Sequence, residues 1–188
     1  MKCMTTTPRH PAPARWAVLA AHAVALLTLP TGLWRLLLAA GQPAGYTEAG
    51  YEAMGVDGWG VVYVVGLSVV SEALALLTLG LVRPWGEVVP RWVPLLGGRP
   101  VPVPAAVLPA GLGAVVLTAL WTPFAWWWAT PHPDLTPLGD MLLGFAYLPL
   151  VAWGPLLGAV TVSYYRRRRP AVAGSERAPI AGFEGAGP

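Results

Sequence analysis

Residues 59–82 read WGVVYVVGLSVVSEALALLTLGLV, and Glu72 is the only charged residue in this stretch. An α-helix rises about 1.5 Å per residue, so the stretch is long enough to cross a hydrocarbon core of roughly 30 Å. It lacks the strict alternation of apolar and polar residues that a membrane β-strand shows. The stretch therefore predicts a transmembrane helix, which satisfies its own backbone hydrogen bonds in lipid.

Three further stretches share this length and apolar character. The sequence therefore predicts an all-α membrane protein built as a four-transmembrane-helix bundle. Composition agrees, because 55% of the 188 residues are hydrophobic and 11% are charged, whereas soluble domains carry about 25% charged residues. The mean hydropathy is +0.56. The predicted spans are residues 16–40, 59–82, 103–126 and 138–165.

Apart from Arg35, lysine and arginine lie in the two ends of the chain and in the loop after the second span. Residues 41–58 and 123–139, which follow the first and third spans, contain neither residue type. Cytoplasmic loops carry an excess of Lys and Arg, so the pattern predicts a cell-membrane protein with both termini cytoplasmic. This topology also accounts for the pI near 9.4, and no nucleic-acid partner is expected. The flanking cations on the predicted inner side are Lys2, Arg9, Arg15, Arg83, Arg91, Arg99 and Arg166 to Arg169.

The two ends of the chain differ in composition from the spans between them. Residues 1–14 and 167–188 are rich in Pro, Ala and Gly, and we expect disordered cytoplasmic tails flanking a transmembrane domain of residues 15–166. A cleaved signal peptide is the alternative for the first span. Leu38 fits the small-residue pattern of a cleavage site poorly, which favours the span.

Besides the tyrosines and Asp140, which lies at the very start of the fourth span, three ionisable side chains fall within the predicted spans: His22, Arg35 and Glu72. Such groups are costly in hydrocarbon and are functional candidates by default. His22 and Glu72 lie at similar depths in adjacent antiparallel spans, and Ser68 and Ser71 add a small polar face beside Glu72. One interpretation is a proton- or cation-responsive site with Glu72 as its carboxylate and His22 as its relay. The alternative is a neutral Glu72 that is hydrogen-bonded between helices and only holds them together.

Arg35 lies near the predicted outer end of the first span. Asp57 and Asp140 each lie at the outer start of a span, so an outer-side ion pair with Arg35 is one hypothesis. The alternative is that the arginine side chain reaches the interface by snorkelling. Acids in a first turn also suit the helix dipole, and Asp57-Gly58 predicts an N-cap for the second span.

Residues 83–102 combine Arg and Trp with prolines that prevent a regular helix. Rings placed among headgroups and guanidiniums placed on phosphates predict a loop that binds anionic lipid headgroups. The alternative is a topology determinant that happens to carry Trp. The residues of this predicted lipid-headgroup loop are Arg83, Trp85, Arg91, Trp92 and Arg99.

Small residues and prolines within the spans indicate how the helices pack. Gly154 and Gly158 form a Gly-x-x-x-Gly seam of the kind that lets membrane helices approach closely. Prolines remove a helix hydrogen bond, so we expect kinks at Pro30, Pro109, Pro149 and Pro155. The Trp126 to Trp128 run predicts an aromatic belt at a membrane interface, with a ligand-stacking platform as the alternative.

Motifs for catalysis and metal binding are missing from the sequence. It contains no His-x-x-x-His, Cys-x-x-Cys or Gly-x-Ser-x-Gly pattern. Its one cysteine, Cys3, cannot form a disulfide or a cysteine-built metal site within the chain. We therefore expect no catalytic residues, no metal site and no cofactor.

Two segments of the sequence resemble segments found in other proteins. Residues 29–35 (LPTGLWR) and 83–102 (RPWGEVVPRWVPLLGGRPVP) resemble an uncharacterised family of small actinobacterial integral membrane proteins. That family has the same Pro-Thr/Ser-Gly-Leu-Trp-Arg and Trp-Gly-Glu-Val-x-Pro-Arg-Trp-x-Pro patterns. The resemblance extends over residues 16–158 and implies a multi-pass fold in the plasma membrane, without an activity.

The leading functional interpretation is a non-enzymatic accessory or assembly subunit that binds a membrane-protein or lipid partner. The alternative is a small proton-coupled carrier that works as a homo-oligomer, with Glu72 as the proton-binding carboxylate. It resembles small multidrug transporters only in having four spans and a membrane carboxylate. A membrane enzyme acting on a lipid headgroup comes third, because no nucleophile–base pair is evident.

Overall fold

The computed structural model describes residues 12–91, 94 and 97–169. Within these residues the chain is helical, and no β-strand forms beyond two isolated β-bridges. Short 3-10 segments occupy Pro84–Gly86, Thr122–Ala129 and Leu148–Ala152. The α-helices are α1 Arg15–Leu27, α2 Leu29–Ala39, α3 Glu48–Met54, α4 Trp59–Gly80, α5 Val103–Trp121, α6 Pro137–Tyr147 and α7 Trp153–Arg168.

Four helical stretches are long and apolar enough to cross a membrane, which confirms the predicted number. We name them spans 1 to 4 in chain order, and α3 is a short helix outside them. Their ends agree with the predicted boundaries to within three residues. The stretches are Arg15–Ala39, Trp59–Gly80, Val103–Ala129 and Pro137–Arg168.

Span 1 is broken at Thr28, between α1 and α2. Pro30 lies in the first turn of α2, where its missing N–H leaves the preceding helix without a hydrogen bond. At the break, the Thr28 carbonyl accepts from Gly32 N at 2.9 Å and from Thr31 Oγ1 at 2.8 Å. The helix is therefore interrupted next to Pro30, where a kink is predicted.

The other prolines divide into two groups. Pro149 lies in the 3-10 segment that separates α6 from α7, so span 4 is also interrupted where a kink is predicted. Pro109 lies inside α5, which runs without a break, and Pro155 falls in the first turn of α7. A first-turn proline loses no intrahelical hydrogen bond, which explains why α7 begins undisturbed there.

The spans pack in the spatial order 2, 1, 4, 3. α1 packs against both α4 and α7, α2 against α4 and α6, and α5 lies along α7. Ala17 and Ala21 on α1 and Ala75 on α4 are completely buried, so small side chains set these close approaches. An apolar cleft lies between α4 and α5, on the side of the bundle away from α1.

The loops after spans 1 and 3 bind each other through a reciprocal pair of threonines. Thr47 donates to the Asp134 carbonyl from its backbone N–H at 2.9 Å and from its hydroxyl at 3.1 Å. Thr136 donates to the Gly45 carbonyl in the same way, at 2.9 and 3.0 Å. The two loops are therefore joined by four hydrogen bonds that use the same chemistry twice.

Each of these threonines also caps a helix. The Thr47 hydroxyl accepts from Gly50 N at 3.1 Å at the start of α3, and the Thr136 hydroxyl accepts from Gly139 N at 3.0 Å at the start of α6. N-caps of this kind satisfy backbone donors that the helix leaves free. Each threonine therefore caps a helix and also bonds its own loop to the other loop.

Between the two threonines, Tyr46 pairs with Leu135 in an isolated antiparallel bridge. Burial raises the pKa of the Tyr46 phenol above its ordinary value, with smaller contributions from Tyr147 and Asp134. Tyr46 is therefore neutral at physiological pH, which suits a ring enclosed between two loops.

The start of α4 differs from the prediction. Its N-cap is Gly58, which has a φ of 46° and offers no side-chain cap. Asp57 instead accepts from Gly60 N at 2.7 Å through its backbone carbonyl. The left-handed turn at Gly58 aims the Asp57 carbonyl at the helix, so the carboxylate is not needed there.

The predicted Gly154–Gly158 seam faces α5, but the two glycines are not equivalent. A Cβ at Gly154 would clash with Thr118 Oγ1 and would lie 2.5 Å from Thr118 N and 2.7 Å from the Ala114 carbonyl. A Cβ at Gly158 would lie 3.6 Å from the Ala114 Cβ, an ordinary van der Waals contact. Of the two glycines, Gly154 is therefore the one whose missing side chain allows spans 3 and 4 to approach this closely.

We expect Gly154→Ala to destabilise the protein by about 1–3 kcal/mol, because the added methyl must push α5 away from α7. Gly158→Ala is the matched control and should unfold like the unmodified protein. The measurement is the unfolding midpoint in detergent, followed by tryptophan fluorescence. Equal unfolding midpoints for the two variants would show that α5 moves away from α7 without a loss of stability.

Candidate functional site

A polar cluster lies at the break in span 1. The Thr28 hydroxyl donates to Glu72 Oε2 at 3.0 Å, and Thr28 is 1% exposed. Gly32 faces the same carboxylate, since a Cβ there would lie 3.3 Å from Glu72 Oε1. The end of α1 and the start of α2 therefore form a small polar recess that receives the Glu72 side chain from α4.

Arg35 completes this polar cluster. Its side chain is buried, with Nη1 3.4 Å from Ser71 Oγ and its guanidinium 5.7 Å from the centre of the Tyr147 ring. Arg35 thus lies between spans 1, 2 and 4 and does not snorkel. A guanidinium over an aromatic face gains cation–π attraction in an otherwise apolar setting.

The predicted outer-side ion pair does not form. Arg35 reaches neither Asp57 nor Asp140, and the ion pairs among the described residues do not include it. Asp140 lies 2.9 Å from His132 Nδ1, because α6 begins directly after the turn that carries the histidine. Asp57 lies in an exposed turn before α4.

His22 and Ser68 are also not part of the polar cluster. With its proton on Nδ1, the His22 ring donates to the Val18 carbonyl at 2.7 Å and accepts from Arg83 at 3.4 Å. The Ser68 hydroxyl donates to the Val64 carbonyl of its own helix at 3.0 Å. Ser68 lies one turn from Glu72 on the same face of α4, but its hydroxyl is used within its own helix. His22 bonds to Val18 and Arg83, so the predicted relay through His22 has no contact among the described residues to support it.

Of the predicted proton site, the structure keeps Glu72 and Ser71 and adds Thr28 and Arg35. Thr28 was not predicted as a site residue, because a single threonine within an apolar helix has no distinctive sequence pattern. Its position two residues before Pro30, where a break is expected, was the available signal.

A second polar site joins the loop after span 2 to the end of span 4. We call it the arginine clasp, formed by Glu87, Tyr164, Arg167 and Arg168. Arg167 Nη2 lies 3.0 Å from Glu87 Oε1, and Arg168 Nη1 lies 3.9 Å from Glu87 Oε2. Both arginine side chains are at least nine-tenths buried, so the surrounding protein fixes their positions.

The arginine clasp also binds the backbone of the loop. Arg167 donates to the Leu81 carbonyl at 3.0 Å, Arg168 donates to the Val101 carbonyl at 2.8 Å, and the Tyr164 hydroxyl donates to the Gly86 carbonyl at 3.0 Å. Guanidiniums supply several fixed donors and suit such multiple contacts. Cations in the last turn of α7 also complement its dipole.

This site corrects two predictions about the end of the chain. Helix α7 continues to Arg168, so residues 167 and 168 belong to the helical domain and not to a disordered tail. Two residues of the Arg166 to Arg169 run are tertiary partners and more than a charged anchor. The remainder of the predicted tails lies outside the described residues, apart from residues 12–14 and 169.

The predicted lipid-headgroup loop is folded back on itself where it is described. Val89 N donates to the Arg99 carbonyl at 3.0 Å, and Val101 N donates to the Glu87 carbonyl at 2.9 Å. Arg83, Arg91 and Arg99 have exposed side chains, as headgroup contacts require. The Trp85 ring packs against Gly80, where a Cβ would lie 2.6 Å from its Cζ3 atom. Trp92 lies outside the described residues.

The three tryptophans of the Trp126 to Trp128 run differ in their exposure and contacts. Trp127 stacks on His132 at 3.6 Å and on Phe124 at 5.1 Å, and its indole N–H donates to the Asp140 carbonyl at 3.2 Å. Trp126 and Trp128 are exposed. Two rings therefore point outward, as an aromatic belt would, while the middle ring holds the turn between spans 3 and 4.

The cleft between α4 and α5 has a volume of about 400 Å³, and its lining is almost entirely apolar. Its floor is formed by Trp153 and Leu157 of α7. Its walls include Leu74, Leu77, Ala110, Gly113 and Leu117. It is large enough for a small ligand, and its few polar atoms favour an apolar one.

No family model, curated protein or solved structure matches this chain.

We expect Glu87→Gln to release the loop from span 4, because Arg167 and Arg168 would lose their charged acceptor while remaining buried. The expected loss of stability is about 1–3 kcal/mol. Amide hydrogen exchange provides the measurement: the Val101 N–H, bonded to the Glu87 carbonyl, should exchange faster. Glu52→Gln, at an exposed position in α3, is the control. Unchanged exchange at Val101 would show that the backbone contacts suffice.

Proposed function

We propose that the protein is a multi-pass protein of the cell membrane with both termini in the cytoplasm. The four apolar stretches support this proposal, since each is long enough to cross a bilayer. Large apolar side chains cover their outer faces, and Leu108 and Leu112 of α5 are 71% and 67% exposed. The distribution of Lys and Arg supports the orientation. The resemblance to small actinobacterial membrane proteins is in keeping with it and remains a prediction.

Single-cysteine labelling tests the orientation. In a Cys3→Ser background, Glu52→Cys should react with a membrane-impermeant maleimide on intact cells. Arg91→Cys should react only after the cells are opened, because residues 83–102 face the cytoplasm. Labelling of Arg91→Cys on intact cells, with protection of Glu52→Cys, would reverse the proposed orientation.

Within that membrane, the protein acts as a non-enzymatic accessory or assembly subunit that binds a lipid or protein partner. The observation that carries this proposal is the open apolar cleft between α4 and α5. Spans 1, 2 and 4 pack through buried contacts, and the groups of the polar cluster and the arginine clasp form internal hydrogen bonds and ion pairs. The surface left for a partner is apolar, which favours binding over chemistry.

Purification of the full chain from its native membranes in mild detergent tests this function. Mass spectrometry should find a second component, protein or lipid, at a fixed molar ratio to the chain across independent preparations. The ratio should persist through a second chromatographic step. A chain that retains nothing at constant ratio would contradict the accessory function.

A small proton-coupled carrier is the second candidate, favoured by Glu72 and Arg35 sharing a polar cluster at a broken span. If the purified chain is a homo-oligomer without a partner and transports a solute with protons, Glu72→Gln should abolish that transport. The amide still accepts from Thr28, so folding should survive. Glu48→Gln, at an exposed position in α3, is the matched control. Unchanged transport by Glu72→Gln would exclude the carrier.

A further inference from the structure

The shape of the cleft limits what it can hold. Its lining follows α4 from Leu74 to Gly80 and α5 from Ala106 to Leu117, so the cleft is an elongated groove. A flexible hydrocarbon chain can lie along the length of such a groove. The form of the groove therefore suits a lipid chain.

A cation lies in a hollow next to the cleft. Trp85 and Leu77 line the cleft and also line a neighbouring hollow on the face of α4, and Arg83 lines that second hollow. The guanidinium of Arg83 is exposed, and its hydrogen-bonding contact among the described residues is with His22. No carboxylate of the described residues forms an ion pair with it. An anion could therefore bind there without displacing an acidic side chain.

The two remaining loop arginines are placed differently. Arg91 and Arg99 are exposed on the folded-back part of the loop and are not among the described residues that line the cleft. The loop also keeps its only acid, Glu87, engaged with Arg167 and Arg168. Arg83 is thus the cation that lies beside an apolar groove.

We propose that this cleft binds one anionic phospholipid, with an acyl chain between α4 and α5 and the phosphate on Arg83. This inference rests on the proposed membrane location and names the partner of the accessory function. The acyl chain restores the van der Waals contacts that an empty groove would lack. Because the surrounding lipid is equally apolar, selectivity comes from the charged headgroup on Arg83.

Two neighbouring glycines of α5 make a matched test. Gly113 lines the cleft, and a Cβ there meets Leu157 at an ordinary 3.7 Å, so a leucine would extend into the groove. Gly111 lies two residues away, with nothing within 4 Å of a Cβ. Both Gly→Leu changes favour the helix equally. They differ only in whether the cleft is filled.

The experiment is native mass spectrometry of the full chain in mild detergent, titrated with phosphatidylglycerol or phosphatidylcholine. The unmodified protein should retain one phosphatidylglycerol. Gly113→Leu should weaken that retention by about tenfold or more, whereas Gly111→Leu should not. Arg83→Gln should remove the preference for phosphatidylglycerol, and Arg99→Gln should preserve it.

Equal retention by Gly113→Leu and the unmodified protein would overturn the proposal. If Gly113→Leu does not fold, Ala110→Leu fills the same groove and gives the same readout. If Gly113→Leu loses a bound protein partner but keeps the lipid, the proposal is also overturned, while the accessory function stays intact. Loss of both lipid and partner retention in the unmodified chain would contradict both proposals.

Discussion

Pro30 has no backbone N–H to donate, and span 1 is broken two residues before it. The polar contact between spans 1 and 2 lies at this break. Thr28 keeps helical backbone angles there, and its hydroxyl donates to Glu72 on α4. Gly32 then lets the carboxylate approach α2 closely. In an apolar bundle an unpaired carboxylate would be costly, so the break and the acid depend on each other.

The two ends of the bundle are fastened by different chemistry. On one side, Thr47 and Thr136 exchange hydrogen bonds with the opposite loop and need no charge. On the other, Arg167 and Arg168 bind both a carboxylate and backbone carbonyls. Along the length of the bundle, the close approach of spans 3 and 4 depends on Gly154. None of these contacts joins α4 to α5, and an apolar cleft lies between them.

This distribution bears on function. A catalytic site needs polar groups aimed at a place that a substrate can reach. Here Glu72 is bonded to Thr28, Arg35 lies against Ser71 and Tyr147, and Glu87 is bound by two arginines. The cleft is apolar, and Arg83 lines a neighbouring hollow that shares Leu77 and Trp85 with it. Such a surface suits a ligand with a hydrocarbon chain and an anionic head.

The sequence by itself determined the number of apolar spans, their ends to within a few residues, and the breaks near Pro30 and Pro149. Length, hydropathy and the missing proline N–H are properties of the chain in one dimension, so no tertiary contact is needed to read them.

Only the tertiary structure decided which groups meet. Arg35 contacts Ser71 and not Asp57 or Asp140, His22 contacts Arg83 and not Glu72, and Glu87 holds Arg167 and Arg168. These pairings depend on how each helix is rotated about its axis and which neighbours it packs against. Helices that are apolar on all sides carry almost no record of that rotation in their sequence.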